Sequence, residues 1–371
     1  MKRVLGIALA SALTCSVVMA KEIKIGAVMP MSGPVAAYGQ VTSLGVELAN
    51  KLQPTLKNGD TIKIILLDNK GDKVETANAT TRLISSDNVV AILGALTSTN
   101  TAQTIAIADK KKIPVIAPVA TNDKLTEKRE FANRVCFTDS FQGEVVARFA
   151  KAQGYKTAVV IVDQSQVYSI GLSKAFETAF KNDGGQILKS IKVTSGDKDF
   201  KAVVSQIKET NPDFLFLPLY HPEASMIARQ SKQLGLDKPM FSGDGVANQT
   251  FIDLGGESIN GYMFTDFFDY TNPPSQKSAE FIAYHEKETG KKEMNSFTAL
   301  GADTYNILID AMNRCEDPSN SICINEQIKK TKDFDGVSGT ISINSDGNAR
   351  RSAVIKEIKD GVAVFKATVN P

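Results

Sequence analysis

The sequence has no tryptophan, only two histidines and four cysteines in 371 residues. Two histidines leave little room for imidazole-based metal binding or acid–base catalysis. Charge of one sign is also lacking, with 43 Lys and Arg against 41 Asp and Glu, which argues against a basic groove for nucleic acid. There is no P-loop, no His-Glu-x-x-His and no nucleophile elbow: Gly336-Val337-Ser338-Gly339 has the wrong spacing. No low-complexity tract, short-period repeat or long linker interrupts the chain. Beyond the first twenty residues no apolar run approaches the ~20 residues of a membrane span. What remains is an ordinary globular composition, long enough for two domains.

The first twenty residues read as a secretory signal peptide. Lys2 and Arg3 precede an apolar run from Val4 to Val18, and Val18-Met19-Ala20 offers small residues at a cleavage site before Lys21. Cys15 follows Thr14, a poor residue before a lipidated cysteine. Loss of Lys2 and Arg3 makes the acidic and basic counts equal, so the mature protein is expected to be exported, soluble and near neutral. Export makes disulfides stable. Cys136, Cys315 and Cys323 remain, and the turn-rich Glu-Asp-Pro-Ser-Asn-Ser-Ile segment is expected to bring Cys315 and Cys323 into a bridge. Cys136 reads as a buried free thiol in a strand-like run.

From Glu22 onward, short β-branched runs alternate with amphipathic stretches. Ile23–Val28, Ile62–Asp68, Val89–Leu93, Val115–Ala117, Thr157–Val162, Ile187–Val193 and Phe214–Leu217 read as strands. Helices are expected near Tyr38–Leu52, Val74–Ser85, Thr101–Lys111, Gly143–Gln153, Ser169–Asn182, Phe200–Glu209 and Glu223–Gln233. This alternation predicts an α/β protein with parallel sheets covered on both faces, in two doubly wound lobes. Later, helices near Ser275–Thr289, Ser296–Asn313 and Ile324–Thr331 precede Ile341–Ile343 and two terminal strands, Ala353–Ile358 and Ala363–Thr368. In such sheets ligands bind beyond the carboxyl ends of strands, where strand order reverses. The turns there are rich in hydroxyls, small residues and aromatics, which suits a small anion at helix starts.

Six of these segments, MSGPVAAYGQ, STNTAQ, IAPVAT, QVYSIGLSKAF, LYHPEA and GDGVAN, stand in an order that covers the whole mature chain. With them the sequence resembles the periplasmic branched-chain amino-acid binding proteins, two-lobed receptors that serve ABC importers. The resemblance implies a type I periplasmic binding protein fold, with two doubly wound α/β lobes joined by three hinge crossovers. The lobes are expected at residues 21–137 plus 268–337 and 138–267 plus 338–371. Crossovers would lie near Cys136–Asp139, Phe264–Phe267 and Val337–Ile341.

Carried over by position, Ser98 and Thr121 serve the carboxylate of a bound amino acid. The Val119 carbonyl, the Thr121 hydroxyl and Asp244 serve its ammonium. Tyr168 and Tyr220 close from the second lobe, and Tyr38, Leu96 and Phe297 wall the aliphatic pocket. Read without the resemblance, Ser98 and Thr121 are equally helix caps, Asp244 a turn aspartate, the aromatics core residues, and His221 lies outside the site. Asp244 replaces the family's usual Glu, and Gly71 and Thr97 stand where a well-known member carries a disulfide.

The implied protein is a periplasmic monomer without cofactor, metal or catalytic activity. Its partners would be leucine, isoleucine or valine and an inner-membrane ABC permease, not nucleic acid. A receptor for an amide, urea, γ-aminobutyrate or an aromatic amino acid, a sensory module, and an exported hydrolase are the alternatives.

Overall fold

A computed structural model describes residues 20–371, so the expected signal peptide lies outside the described residues apart from Ala20. The chain begins β1 (Glu22–Met29), α1 (Ala36–Leu52), β2 (Thr61–Asp68), α2 (Lys73–Ser85), β3 (Ile92–Gly94), α3 (Ser98–Ala108), β4 (Val115–Ala117) and β5 (Ala132–Arg134). These strands form one five-stranded sheet in the order β2-β1-β3-β4-β5, parallel throughout. β1 is buried on both faces: Ile25, Ala27 and Met29 join one apolar cluster and Val28 another, with Leu83 of α2 and Ile105 of α3. That is why it reads as a continuous apolar run.

The second sheet follows after α4 (Asp139–Ala152). It is built from β6 (Thr157–Asp163), α5 (Val167–Asn182), β7 (Gln186–Val193), α6 (Lys201–Thr210), β8 (Phe214–Phe216), α7 (His221–Gln233), β9 (Met240–Ser242), α8 (Gln249–Gly255) and β10 (Met263–Asp266). Next come α9 (Gln276–Thr289), α10 (Ser296–Asn313), α11 (Ser321–Lys329), β11 (Phe334–Gly336), β12 (Gly339–Ile343), β13 (Ala349–Arg350), β14 (Ala353–Lys359) and β15 (Val362–Val369). The seven-stranded sheet runs β15-β14-β10-β9-β8-β6-β7, and β11, β12 and β13 make a small third sheet. In the seven-stranded sheet only the β14–β15 edge is antiparallel to its neighbours, and the small sheet is antiparallel throughout. Phe176 and Phe180 of α5 pack on Phe214 and Phe216 of β8, with the Phe176 and Phe216 rings 4.2 Å apart.

Two doubly wound sheets are as the alternation predicts. The third crossover is not where the sequence puts it. The Arg134 amide donates to the Gly347 carbonyl and the Ile343 amide to that of Thr331, while the Thr126 hydroxyl meets Asn348 Oδ1. Residues 339–350 therefore stay beside the five-stranded sheet, and the chain passes to the seven-stranded sheet at Arg351–Ser352 rather than at Val337–Ile341. The strand expected at Val89–Leu93 is also shorter and later, at Ile92–Gly94.

α10 returns to the first sheet and lies along α1. A Cβ on Gly45 would come within 1.9 Å of the Thr298 carbonyl oxygen, and one on Gly301 within 2.2 Å of that of Thr42. Bare glycine backbone lets the two helices touch. Tyr38 neighbours Phe297, and Asn50 bonds Tyr305 further along, so both helices start at the same end of the sheet. Cys315 and Cys323 form a disulfide between the end of α10 and α11. Cys136 is buried with a free thiol, which burial pushes up to about 12.

Candidate functional site

In the first sheet the strand order reverses between β1 and β3. The chain leaving β3 carries Leu96 with φ +79, a costly backbone for a leucine and a mark of functional loops. Thr97 precedes α3 with no side-chain cap, so Ser98 begins the helix rather than capping it. The first amides of α3 have no partner within the helix and point past its start. The Ser98 hydroxyl accepts from the Asn122 amide at 3.4 Å, tying α3 to the loop after β4. Arg134, fully buried, holds that loop from below through Ala120 O at 3.0 Å and Asn122 O at 2.7 Å. Val119 and Thr121 are thus fixed opposite the start of α3.

The second sheet reverses between β6 and β8, and the loops there carry the second group. Tyr168 sits in the first turn of α5 and Tyr220 just before α7, their rings stacked 5.0 Å apart. Asp244 follows β9 and accepts from Gln142 Nε2 of α4 at 2.7 Å. Its flanking glycines are required: a Cβ on Gly243 would lie 2.5 Å from the Tyr168 hydroxyl, and one on Gly245 2.6 Å from Leu219 O. The Gly245 amide donates to the Tyr168 hydroxyl at 3.1 Å.

The two groups meet. The Tyr38 hydroxyl donates to Gly245 O at 2.5 Å, Asn295 Nδ2 to Ala247 O at 2.9 Å, and Asn122 Nδ2 to Val167 O at 2.8 Å. Tyr38 also packs on Phe297 at 5.4 Å and Tyr220 at 5.8 Å. Of the nine residues singled out by sequence, only Tyr220 is more than marginally exposed. Val35, Thr99, Asn100, Tyr220, Glu223 and Met226 are among the residues lining a cavity of about 600 Å³ between the two groups.

Of the nine, only Tyr220 lines that cavity; Asp244 and Thr121 lie buried away from it, in surroundings that want a cation and further hydrogen bonds. Burial pushes the Asp244 carboxyl up from the ordinary 3.8 to about 7, against the opposing hydrogen bond from Gln142. Burial also raises Asp139 well above its usual range, opposed by the Thr121 hydroxyl beside it and aggravated by Asp244. Gln142 Oε1, Asn100 Nδ2 and His221 Nδ1 are buried without a partner, and Thr121 Oγ1 and Asp139 Oδ1 have none but one another. Such orphans are uncommon in folded proteins. Among the described residues no group of three His, Cys, Asp or Glu is arranged for a metal ion.

Sequence reasoning missed part of this arrangement. His221, set outside the site, is buried edge-on against Tyr38 with ring centroids 5.0 Å apart. Burial lowers it to about 4, so it stays neutral. The only signal was its place beside Tyr220. Gln142, Asn122 and Asp139 carried no local signal.

Comparison with known proteins agrees with this fold. The family model described as "Periplasmic binding protein" matches residues 22–363. The Leu/Ile/Val-binding protein BraC3 of Rhizobium johnstonii is 31% identical over 264 residues, 70% of this chain and 71% of that protein. The crystal structure of a leucine binding protein LivK from Thermotoga maritima superposes with a TM-score of 0.92 at 37% identity, covering 94% of this chain and 99% of that one. The branched-chain amino-acid transporter substrate-binding protein LivJ of Streptococcus pneumoniae, solved with isoleucine, gives 0.88 at 30% identity, covering 95% and 100%. With facing switch points on two doubly wound sheets and a match along nearly its whole described length, this chain belongs to the periplasmic binding protein family and has its type I fold.

Proposed function

We propose that this protein captures leucine, isoleucine or valine in the periplasm by closing two lobes over it, and hands it to an ABC permease in the inner membrane. The lobes would be residues 21–134 with 268–350, and 135–267 with 351–371. The ligand carboxylate takes the α3 amides and the Ser98 and Thr121 hydroxyls. Its ammonium takes Asp244, the Val119 carbonyl and Thr121. Tyr38, Leu96 and Phe297 cover the aliphatic tail, and Tyr168 and Tyr220 close over the head group. Nothing in this cycle makes or breaks a covalent bond.

The observation that carries the reading is a buried Asp244 carboxyl that no cation faces, near the Asp139 carboxyl and the Thr121 hydroxyl beside it. A zwitterion entering a dry cleft must exchange water at both charges for protein partners, and this crevice offers one set for each. An aromatic acid or urea brings no ammonium to neutralise Asp244. The names of the relatives, which state leucine, isoleucine and valine, support the same ligand class.

The test is a melting panel on solute-stripped protein with the twenty amino acids, small amides, urea and γ-aminobutyrate. Leucine, isoleucine and valine should stabilise it by about 2.7 kcal/mol at a hundredfold excess over Kd. Indifference to every free α-amino acid would overturn the reading.

A further inference from the structure

Three short segments join the two sheets: one after β5, one after β10 and one between β13 and β14. Arg351 lies in the third. Its guanidinium reaches the other two, Nη1 donating to Val135 O at 3.4 Å and Nη2 to Phe267 O at 2.8 Å. The same two nitrogens donate to Ser338 Oγ at 2.9 Å and Ser338 O at 3.0 Å. Asp303 of α10, fully buried, accepts hydrogen bonds from the Val337 amide at 2.5 Å, the Ser338 amide at 2.9 Å and the Ser338 hydroxyl. The Arg351 side chain, 4% exposed, is therefore a buried cation whose counter-charge arrives through one serine. The guanidinium spreads these four bonds over two nitrogens of a rigid planar fork, where the three donors of a lysine share one nitrogen.

The fork is also joined to the ligand crevice. Arg351 lies 5.7 Å over the Phe267 ring. Phe267 packs on Phe137 of the first segment at 4.3 Å and on Phe297 at 5.9 Å, and Phe297 packs on Tyr38 at 5.4 Å. The three segments, the helix bearing Phe297 and the pocket wall thus form one contiguous packed unit.

We infer that Arg351 is a positioning residue for ligand capture: by bonding all three crossovers it makes them turn as one axis, so that closure brings Tyr168, Tyr220 and Asp244 into register over Ser98 and Thr121. This rests on the lobe-closure reading above. Arg351 touches no ligand, so its effect appears in how long the closed state lasts. Lysine keeps the charge but offers a single point of donation, and it cannot span the three segments.

The experiment is stopped-flow binding of leucine to the wild type, Arg351→Lys and Ser338→Ala, with denaturation midpoints and small-angle scattering of each. Arg351→Lys should release leucine about tenfold faster with association changed far less, as coupling energies between distant groups run. Its liganded form should scatter as a more open particle. Ser338→Ala should fall between it and the wild type. A purely structural role would lower the denaturation midpoint and leave the release rate of folded protein unchanged, which overturns the inference. If Arg351→Lys fails to fold, the release rate of Ser338→Ala decides. If the wild type ignores leucine, the functional reading falls. Scattering then judges the clasp alone, where identical curves for the wild type and the folded variant overturn it.

Discussion

Asp244 is 4% exposed and faces no cation among the described residues. With its carboxyl raised from 3.8 to about 7 by burial, the ligand-free closed form binds a proton that the unfolded chain has lost. Its contribution to stability is complete below the ordinary carboxylate value and disappears as pH rises through about 7. Asp139 shifts in the same direction for the same reason. A bound ammonium reverses the preference and draws the carboxylate into its charged form. Amino-acid binding should therefore expel a proton below about pH 7 and tighten by up to about tenfold per pH unit between 5 and 7. Calorimetry in two buffers of different ionisation enthalpy reads this directly. Asp244→Asn should bind about a hundredfold more weakly, lose that pH dependence, and without ligand melt no lower than the wild type at pH 7 and above. Affinity flat from pH 5 to 8 would contradict the role. Much of this residue scale is legible beforehand, since hydroxyls and an acid after strands lie where an open α/β sheet collects ligands. Gln142 is not legible. It is a first-turn glutamine like any surface one until packing carries α4 beneath Asp244.

Among the elements, the α1–α10 pair does most to hold the first half of the site. It sets Tyr38 against Phe297, and its spacing depends on Gly45 and Gly301. Gly45→Ala should destabilise the protein by about 3 kcal/mol through overpacking against the Thr298 carbonyl. Urea denaturation should show this as a lower midpoint at unchanged slope. A midpoint equal to the wild type would mean that the helices separate without cost. Both glycines lie within helical patterns, where sequence alone gives only a propensity penalty. The third crossover was misread for a related reason. Gly339–Ile343 and Ala349–Arg350 form a small antiparallel pair whose alternation is the same whichever sheet it accompanies. Only the Gly347 and Thr331 carbonyls assign it to the first.

At the scale of the whole molecule, each of the two large sheets has a single reversal of strand order, and the loops beyond the two reversals meet. Alternation along the chain announces two such sheets, but their mutual orientation is set by three crossovers and a buried arginine that no local pattern marks. In the closed arrangement, direct hydrogen bonds already join the halves at Gly245, Ala247 and Val167. A ligand has only to complete the polar groups left between them, and a ligand that binds the closed form better than the open one supplies the free energy of closure. The head group is therefore the decisive part of the ligand. The most direct measurement is calorimetric titration of solute-stripped protein with leucine, with 3-methylbutylamine, which lacks the carboxylate, and with 4-methylpentanoate, which lacks the ammonium. Leucine should bind with micromolar or tighter Kd and each analogue at least about a hundredfold more weakly. Equal binding of 4-methylpentanoate and leucine would contradict the account.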